Sequence, residues 1–325
     1  MKFARLLFAL SLMLFCSSLC NVLAQAPQTS KIAFSLIDGK QNSEIYLMNP
    51  DGTEQVRLTH NKAFDVSAVW SPTGEQILFA SDRDGVRDLY LMDADGKNVK
   101  RVFGKLEDRR YPTWSPDGKH IAYTRREPGN SFIYIASIDG KKEERVAIGG
   151  SPAWSPDGTE IAFLTGGPER RQISLLNVST YKQKALFPKP VKFSWITSPA
   201  WSPLGAKIAF AWVHEAPLGA LANTQTIYII NRDGTGLQQI APKGVGMKSS
   251  PVWSPRGDEL LYTQYLHGKQ MQIFKVGLDG GEPVQLTDPT FWHFIGDWFD
   301  PAYALPVSPQ PQLLTTTWGD VKKQN

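Results

Sequence analysis

The stretch SPAWSPDGTEIAF at 151–163 decides the fold, because close copies of it recur along the chain. The copies are VWSPTGEQILF at 69–79, TWSPDGKHIAY at 113–123, AWSPLGAKIAF at 200–210 and VWSPRGDELLY at 252–262, with a degenerate sixth, GDWFDP, at 296–301. Their tryptophans are separated by 44, 40, 47, 52 and 45 residues: Trp70, Trp114, Trp154, Trp201, Trp253 and Trp298. A repeat of about 45 residues with strand-like segments is typical of a propeller blade of four strands.

The same order of elements returns inside each unit. A short strand, A, ends at the tryptophan, and Ser-Pro-Asp-Gly then forms a turn in which proline presets φ and glycine accepts a positive φ. Two further strands, B and C, follow, as at His120–Thr124 and Phe132–Ala136, and a weaker outer strand D, as at Arg145–Ile148, ends the unit. We therefore interpret the Trp-Ser-Pro-x-Gly motif as a structural element that packs between blades, and not as a catalytic motif.

The chain begins in the middle of a unit. Lys31–Phe34 is a B strand with no A strand before it, and the unpaired A strand lies at the other end, in Phe294–Trp298. Pairing the two closes the ring and removes the free sheet edges of a linear array. The sequence thus predicts an all-β protein, a six-bladed β-propeller over 27–301 whose C-terminal innermost strand completes the first blade.

These motifs resemble the propeller of the TolB-like family, also described as WD40-like. The resemblance rests on the repeated Trp-Ser-Pro-Asp-Gly, on the Ile-Ala-Phe and Ile-Tyr-Leu-Met strands and on Ser81-Asp-Arg-Asp-Gly85, and it covers about residues 31–301. It implies a bacterial envelope protein. TolB itself carries an α/β domain before its propeller, and we expect none here, so a role in a Tol-type system does not follow from the resemblance.

Residues 1–26 are predicted to be a secretory signal peptide, with Lys2 and Arg5 before a long apolar run and cleavage after Ala24 or Ala26. A retained membrane anchor is the alternative, because the apolar run is just long enough to span a bilayer. We expect an exported protein, periplasmic or extracellular, without stable membrane insertion after cleavage. Residues 302–325 form a Pro-rich C-terminal tail that we expect to pack on the flank of the ring.

Composition narrows the choice of partner. Both cysteines lie in the signal peptide, so the mature protein has no disulfide and no cysteine-based metal or redox chemistry. Without Lys2 and Arg5 the chain has 33 basic and 31 acidic residues, which gives no reason to expect nucleic acid as a partner.

The candidate binding face surrounds the mouth of the central channel. The A–B and C–D turns are short and regular, so function is expected on the opposite face, which carries the B–C and D–A loops. Arginines and aromatic residues are frequent in these predicted loops, a composition typical of recognition surfaces. The alternative is that the aromatic rings fold back over the blades and the charges are only solvated. The candidates are Arg109, Arg110, Arg125, Arg126, Trp195, Trp212, His214, Tyr265, His267, Trp292 and His293.

We predict a non-catalytic module that binds a protein or peptide partner in the cell envelope, with no cofactor and no metal. The alternative is a metal-dependent lyase or hydrolase acting on an acidic polysaccharide, because the resemblance extends to oligogalacturonate lyase, which has a histidine-based metal site and an arginine in the channel. For that chemistry His60, His214, His267 and His293 would have to converge, although no two have the spacing of adjacent ligands. The sequence has no Gly-x-Ser-x-Gly motif for nucleophilic hydrolysis.

Overall fold

The computed structural model describes residues 25–39, 42–167, 171–187, 195–213, 225–242, 244, 246–266 and 270–304. The predicted signal peptide up to residue 24 and the tail from residue 305 lie outside these residues. Within them are 24 strands and a 3-10 helix at Pro301–Tyr303. The strands are β1 (Lys31–Ile37), β2 (Ser43–Met48), β3 (Val56–Arg57), β4 (Val66–Trp70), β5 (Gln76–Ser81), β6 (Asp88–Asp93), β7 (Lys100–Arg101), β8 (Arg109–Trp114), β9 (His120–Glu127), β10 (Asn130–Ser137), β11 (Glu143–Ile148), β12 (Gly150–Trp154), β13 (Glu160–Thr165), β14 (Gln172–Asn177), β15 (Gln183–Ala185), β16 (Trp195–Trp201), β17 (Lys207–Val213), β18 (Thr226–Asn231), β19 (Gln238–Gln239), β20 (Lys248–Trp253), β21 (Glu259–Tyr265), β22 (Met271–Gly277), β23 (Val284–Gln285) and β24 (Trp292–Phe299).

The strands form six antiparallel four-stranded sheets, which are the blades of a propeller. Blades 2 to 6 each take four consecutive strands, β4–β7, β8–β11, β12–β15, β16–β19 and β20–β23. Blade 1 has the order β24-β1-β2-β3, in which Ile32 pairs with Trp298 and Lys31 with Phe299. The predicted six-bladed propeller, closed by the C-terminal innermost strand, is therefore confirmed. Among the described residues, no helix has the length and hydrophobicity to cross a bilayer.

The Ser-Pro-x-Gly motif forms the turn between the first two strands of a blade. In blade 4 the Ser155 carbonyl accepts from the Gly158 N–H at 2.9 Å, and the Ser155 hydroxyl donates to Asp157. The glycine is required at the corresponding turn of blade 2, where Gly74 has φ +73° and a Cβ would lie 2.1 Å from the Phe299 ring. We call the side of the ring that carries these turns the turn face.

Three of the repeated tryptophans join neighbouring blades through their indole N–H groups, whereas the Trp154 indole donates to Gly158 of its own blade. The indole N–H of Trp201 donates to the carbonyl of Ala153 on the preceding blade at 3.0 Å, and Trp253 donates to Ala200 in the same way. Trp114 makes the equivalent but longer bond to Val69. The pattern changes between blades 1 and 2, where Asp297 occupies the position equivalent to Ala153 and Ala200. Its carboxylate accepts from the Trp70 backbone N–H at 3.0 Å, and the buried Trp70 indole nitrogen has no partner among the described residues.

A β-bulge in each innermost strand shapes the channel wall. In blade 2, Val66 pairs with Ala80 and Val69 with Leu78, so two residues lie opposite one. Five blades place a non-glycine residue at positive φ in this bulge, three positions before the tryptophan, and the set is Ser67, Tyr111, Ser151, Ser198 and Ser250. All five line the central channel. The bulge therefore turns four serines and one tyrosine toward the channel.

Candidate functional site

The central channel is a cavity of about 960 Å³ lined by residues of all six innermost strands. Its wall is mixed, with hydroxyl groups of the bulge serines beside prolines and the repeated tryptophans. Asp297 adds a carboxylate that accepts from the backbone N–H groups of Trp70 and Trp298 at 3.0 and 2.8 Å. Burial raises the pKa of Asp297 to about 6. This carboxylate is held by the backbone and ties blade 1 to blade 2.

A second cavity, of about 1000 Å³, lies between blades 3 and 4 and adjoins the mouth of the channel. We call it the blade 3–4 groove. It contains the Pro128-Gly129 turn of blade 3, the Gly149-Gly150 link and Gly166-Gly167 of blade 4. The two cavities share Arg110, Tyr111, Ser151, Leu164 and Arg171. The channel also reaches Pro203, Ser254 and Pro255 of the turn face, and on the opposite side of the ring it joins the groove in one concave region. We call this opposite side the mouth face.

Six predicted binding residues remain at least partly exposed near this face: Arg110, Arg125, Arg126, Trp195, Tyr265 and Trp292. Arg110 lies in both cavities and makes two hydrogen bonds to Asp108, at 2.6 and 2.9 Å. These bonds raise the pKa of Arg110 above its usual range. Trp292 lies beside Tyr265 and stacks on Phe294, with ring centroids 6.0 and 6.3 Å away.

Arg109 does not belong to the exposed face, which corrects the sequence interpretation. It lies on β8, and its buried guanidinium contacts Asp88 of blade 2 at 2.9 Å and Glu143 of its own blade at 3.0 Å. It also lies 3.9 Å from the centroid of the Phe103 ring. Burial opposes the charge, but Glu143 and Asp88 raise the pKa of Arg109 above its usual range. This residue fastens two blades to each other.

Trp212 and His293 were also expected at the mouth and are buried in strands. Trp212, on β17, packs against Phe187, Phe210 and Tyr228. The His293 ring lies 5.8 Å from Phe34, and burial lowers its pKa. Strands extend into segments that the sequence suggested were loops, so alternate side chains turn into the blade interfaces.

Arg125 is likewise part of a strand and not of a loop. Its guanidinium contacts Glu127 at 2.7 Å and Glu143 at 3.1 Å, and it lies over the Tyr134 ring at 3.9 Å. Its hydrogen-bonding capacity is thus largely used within blade 3. The neighbouring Arg126 points to the other side of the sheet and is exposed.

The remaining histidine candidates do not form a metal site among the residues that are described. His214 and His267 lie outside them, and His60 is exposed. No cluster of three histidine, cysteine, aspartate or glutamate side chains suited to a metal occurs in the described part of the chain. Two carboxylates near the innermost strands are paired with arginines, Asp108 with Arg110 at 2.6 Å and Asp65 with Arg83 at 3.0 Å.

Two of the residues shared by both cavities were not among the sequence candidates: Tyr111, and Arg171, which sequence reasoning recognised only as one of the basic residues of the predicted loops. Tyr111 is 51% exposed and has φ +53°. A signal was present, because Tyr111 replaces the serine found three residues before the tryptophan in four other blades. Arg171 lies 4.2 Å from the centroid of the Trp195 ring, a contact between blades that no local pattern indicates.

The fold and its repeats define a class, the six-bladed propellers of the TolB type. The family model described as the TolB beta propeller domain matches residues 17–150 and 146–294. The chain therefore belongs to the TolB beta-propeller domain family.

Solved structures agree with this assignment at low sequence identity. TolB from Acinetobacter baumannii is 20% identical with a TM-score of 0.67, over 83% of this chain and 65% of that one. This chain thus spans less than two thirds of that protein. A putative TolB from Agrobacterium tumefaciens is 18% identical with a TM-score of 0.61, over 84% of this chain and 99% of that one.

Two structures from other settings share the fold. A chain of a nidogen/laminin complex is 10% identical with a TM-score of 0.63, over 83% of this chain and 97% of that one. Oligogalacturonate lyase in complex with manganese is 18% identical with a TM-score of 0.51, over 81% of this chain and 74% of that one. At these identities the likeness concerns the fold alone.

Proposed function

We propose that this chain is an exported, non-catalytic binding module that holds a protein or peptide segment of an envelope partner at the mouth face. The observation that carries the proposal is the meeting of the channel and the blade 3–4 groove at Arg110 and Tyr111. A concave region with an exposed aromatic ring, flanked by arginines, has the composition of a recognition surface.

The chemistry of the cavity walls supports binding. The carboxylates of the groove are engaged, Asp108 by Arg110 and Glu127 by Arg125. Asp297 in the channel accepts from two backbone N–H groups. Groups committed in this way serve poorly as proton donors or acceptors for a substrate, because a reaction would first have to break their present bonds.

The relatives favour the same proposal at a coarse level. One similar structure is a chain of a complex between nidogen and laminin, and others are TolB proteins. Such relatives suggest that propellers of this shape serve protein interactions, and the predicted signal peptide adds an exported location. Cleavage after Ala24 or Ala26 would appear in the mass of the mature protein purified from its native host.

A photo-cross-linking amino acid placed at Tyr111 tests the proposal. The matched control is Leu204, which is 89% exposed and lies in a Ser-Pro-x-Gly turn on the turn face. We expect a discrete protein adduct in living cells from position 111 and none from position 204. Equal labelling from both positions, or labelling from position 204 alone, would refute a site at the mouth face.

A separate assay addresses the polysaccharide lyase alternative. The purified full chain, with manganese added, is incubated with oligogalacturonate, and the unsaturated product of a lyase is followed by its ultraviolet absorbance. We expect no turnover. Product formation that disappears on His214→Ala or His267→Ala would replace the binding proposal with the enzymatic one.

A further inference from the structure

The arginines of blades 2 and 3 differ in one respect that bears on what the mouth face binds. These blades, residues 66–148, contain eight arginines, and seven have a carboxylate within 4.0 Å. The exception is Arg126, which has no carboxylate at that distance among the described residues. The paired arginines are Arg83, Arg87, Arg101, Arg109, Arg110, Arg125 and Arg145.

Arg126 borders the blade 3–4 groove. It lies on β9 opposite Ser131, and its backbone N–H donates to the Asp108 carbonyl at 2.9 Å. Thr124, two residues earlier and on the same side of the sheet, accepts from the Ser151 N–H of blade 4 at 2.9 Å. The side of β9 that carries Arg126 therefore faces blade 4, and Arg126 lines the groove.

Arg171 provides a second positive charge at the inner end of the groove. Its guanidinium lies over the Trp195 ring, with 4.2 Å between the guanidinium carbon and the ring centroid. Stacking on an aromatic face holds the guanidinium in place and leaves its N–H edge available for an acceptor. Like Arg126, it has no carboxylate within 4.0 Å among the described residues.

The remainder of the groove suits an extended peptide. Gly149, Gly150, Gly166 and Gly167 line it without side chains, so a strand-like segment has room to approach the backbone. Ile148, which is 63% exposed, adds an aliphatic contact, and Tyr111 adds an aromatic one where the groove meets the channel. Asp108 and Glu127 are bonded to other arginines and do not neutralise Arg126 or Arg171.

We infer that the blade 3–4 groove binds an extended acidic segment of the partner, with its carboxylates on Arg126 and Arg171 and its chain leading to the channel mouth. This inference rests on the proposed function, because it names the chemistry of the segment that the mouth face holds. Carboxylates match guanidinium groups in charge and geometry, and their hydrogen bonds are strong among those of proteins.

Fluorescence anisotropy with the purified full chain tests the inference. The probe is a fluorescein-labelled nonapeptide of three Gly-Glu-Leu repeats, and its matched control contains Gln in place of Glu. We expect binding of the acidic peptide that weakens with added salt. Arg126→Gln and Arg171→Gln should each weaken it about tenfold. The control variant Arg256→Gln removes an exposed arginine of the turn face and should leave the affinity unchanged.

Several results would overturn the inference. One is binding of the glutamine peptide with the same affinity as the glutamate peptide, which would show that the carboxylate charges do not contribute to binding. Another is equal loss of affinity in Arg256→Gln, which would indicate attraction to the net charge of the protein. Preferential binding of trigalacturonate would place a saccharide in the groove. A further outcome is that a partner found by cross-linking from Tyr111 binds the Arg126→Gln and Arg171→Gln variants as tightly as the wild type. That result would refute the binding of an acidic segment in the groove and leave the proposed function intact.

Discussion

Replacing Arg109 with methionine should be among the most damaging single changes in the propeller. Arg109 and Asp88 join blades 3 and 2 through contacts of 2.9 and 3.1 Å, and their side chains are 3% and 0% exposed. Methionine keeps much of the volume but leaves the Asp88 carboxylate buried without its cation. Removing one partner of a buried pair costs about 3–5 kcal/mol in the free energy of unfolding.

The pH dependence of this cost has a definite sign. Burial already raises the pKa of Asp88 in the presence of Arg109, so its carboxylate is less favourable in the folded than in the unfolded state. An acid whose pKa is higher in the folded than in the unfolded state contributes stability at pH values below its unfolded-state pKa. It loses this contribution as the pH rises through its folded-state pKa. Losing Arg109 raises the folded pKa further, so Arg109→Met should cost more at pH 8 than at pH 5.

Urea unfolding of the four proteins of a double-mutant cycle measures the coupling. Asp88→Asn keeps the side-chain shape and removes the charge, so Arg109→Met should cost much less in that background than in the wild type. The exposed Arg256→Met on the turn face should change stability by less than about 0.5 kcal/mol. A cost of Arg109→Met below about 1 kcal/mol, or the same cost with and without Asp88→Asn, would refute the reasoning.

Three further predictions concern the blade interfaces and use the same unfolding assay. Trp201→Phe should lower the free energy of unfolding by about 1–2 kcal/mol more than Trp70→Phe, because the Trp201 indole N–H has an acceptor among the described residues and the Trp70 indole N–H has none. Equal costs of the two substitutions would contradict this. Gly74→Ala should destabilise the protein by more than about 1 kcal/mol, since its φ is +73° and the Phe299 ring occupies the position of a Cβ, and an unchanged midpoint would disprove the steric argument. Burial lowers the pKa of His293 in the folded state, so this residue contributes stability above its unfolded pKa and loses that contribution as the pH falls through the folded pKa. The His293→Gln variant should therefore lose less stability than the wild type between about pH 7.5 and 5, and equal losses in the two proteins would contradict this prediction.

The repeat made most of the fold predictable. A Ser-Pro-x-Gly turn follows five of the six repeated tryptophans and sets the boundary between two strands, and Lys31–Phe34 and Phe294–Trp298 are complementary halves of one blade. Because the turn recurs five times, each copy supports the others. The structure lengthens the two closing strands to Lys31–Ile37 and Trp292–Phe299 without changing their pairing.

The candidate site was less predictable, because it depends on which way each side chain turns. Arg125 and Arg126 are neighbours in sequence, yet the first is bonded within blade 3 and the second borders the groove. Arg109 is buried through contacts with Asp88 and Glu143, which lie 21 and 34 residues away. Long-range pairs of this kind leave no periodic trace in the sequence.

The closure of blade 1 makes folding of the ring sensitive to truncation of the chain before β24. Ile32 finds its partner Trp298 only after nearly the whole described chain has been made, so the first blade to be synthesised is the last to be finished. A chain that stops before residue 292 lacks β24 and leaves β1 as an exposed edge, which is a template for aggregation. Only a chain that includes β24 covers this edge of β1, so products truncated before residue 292 should be more prone to aggregate.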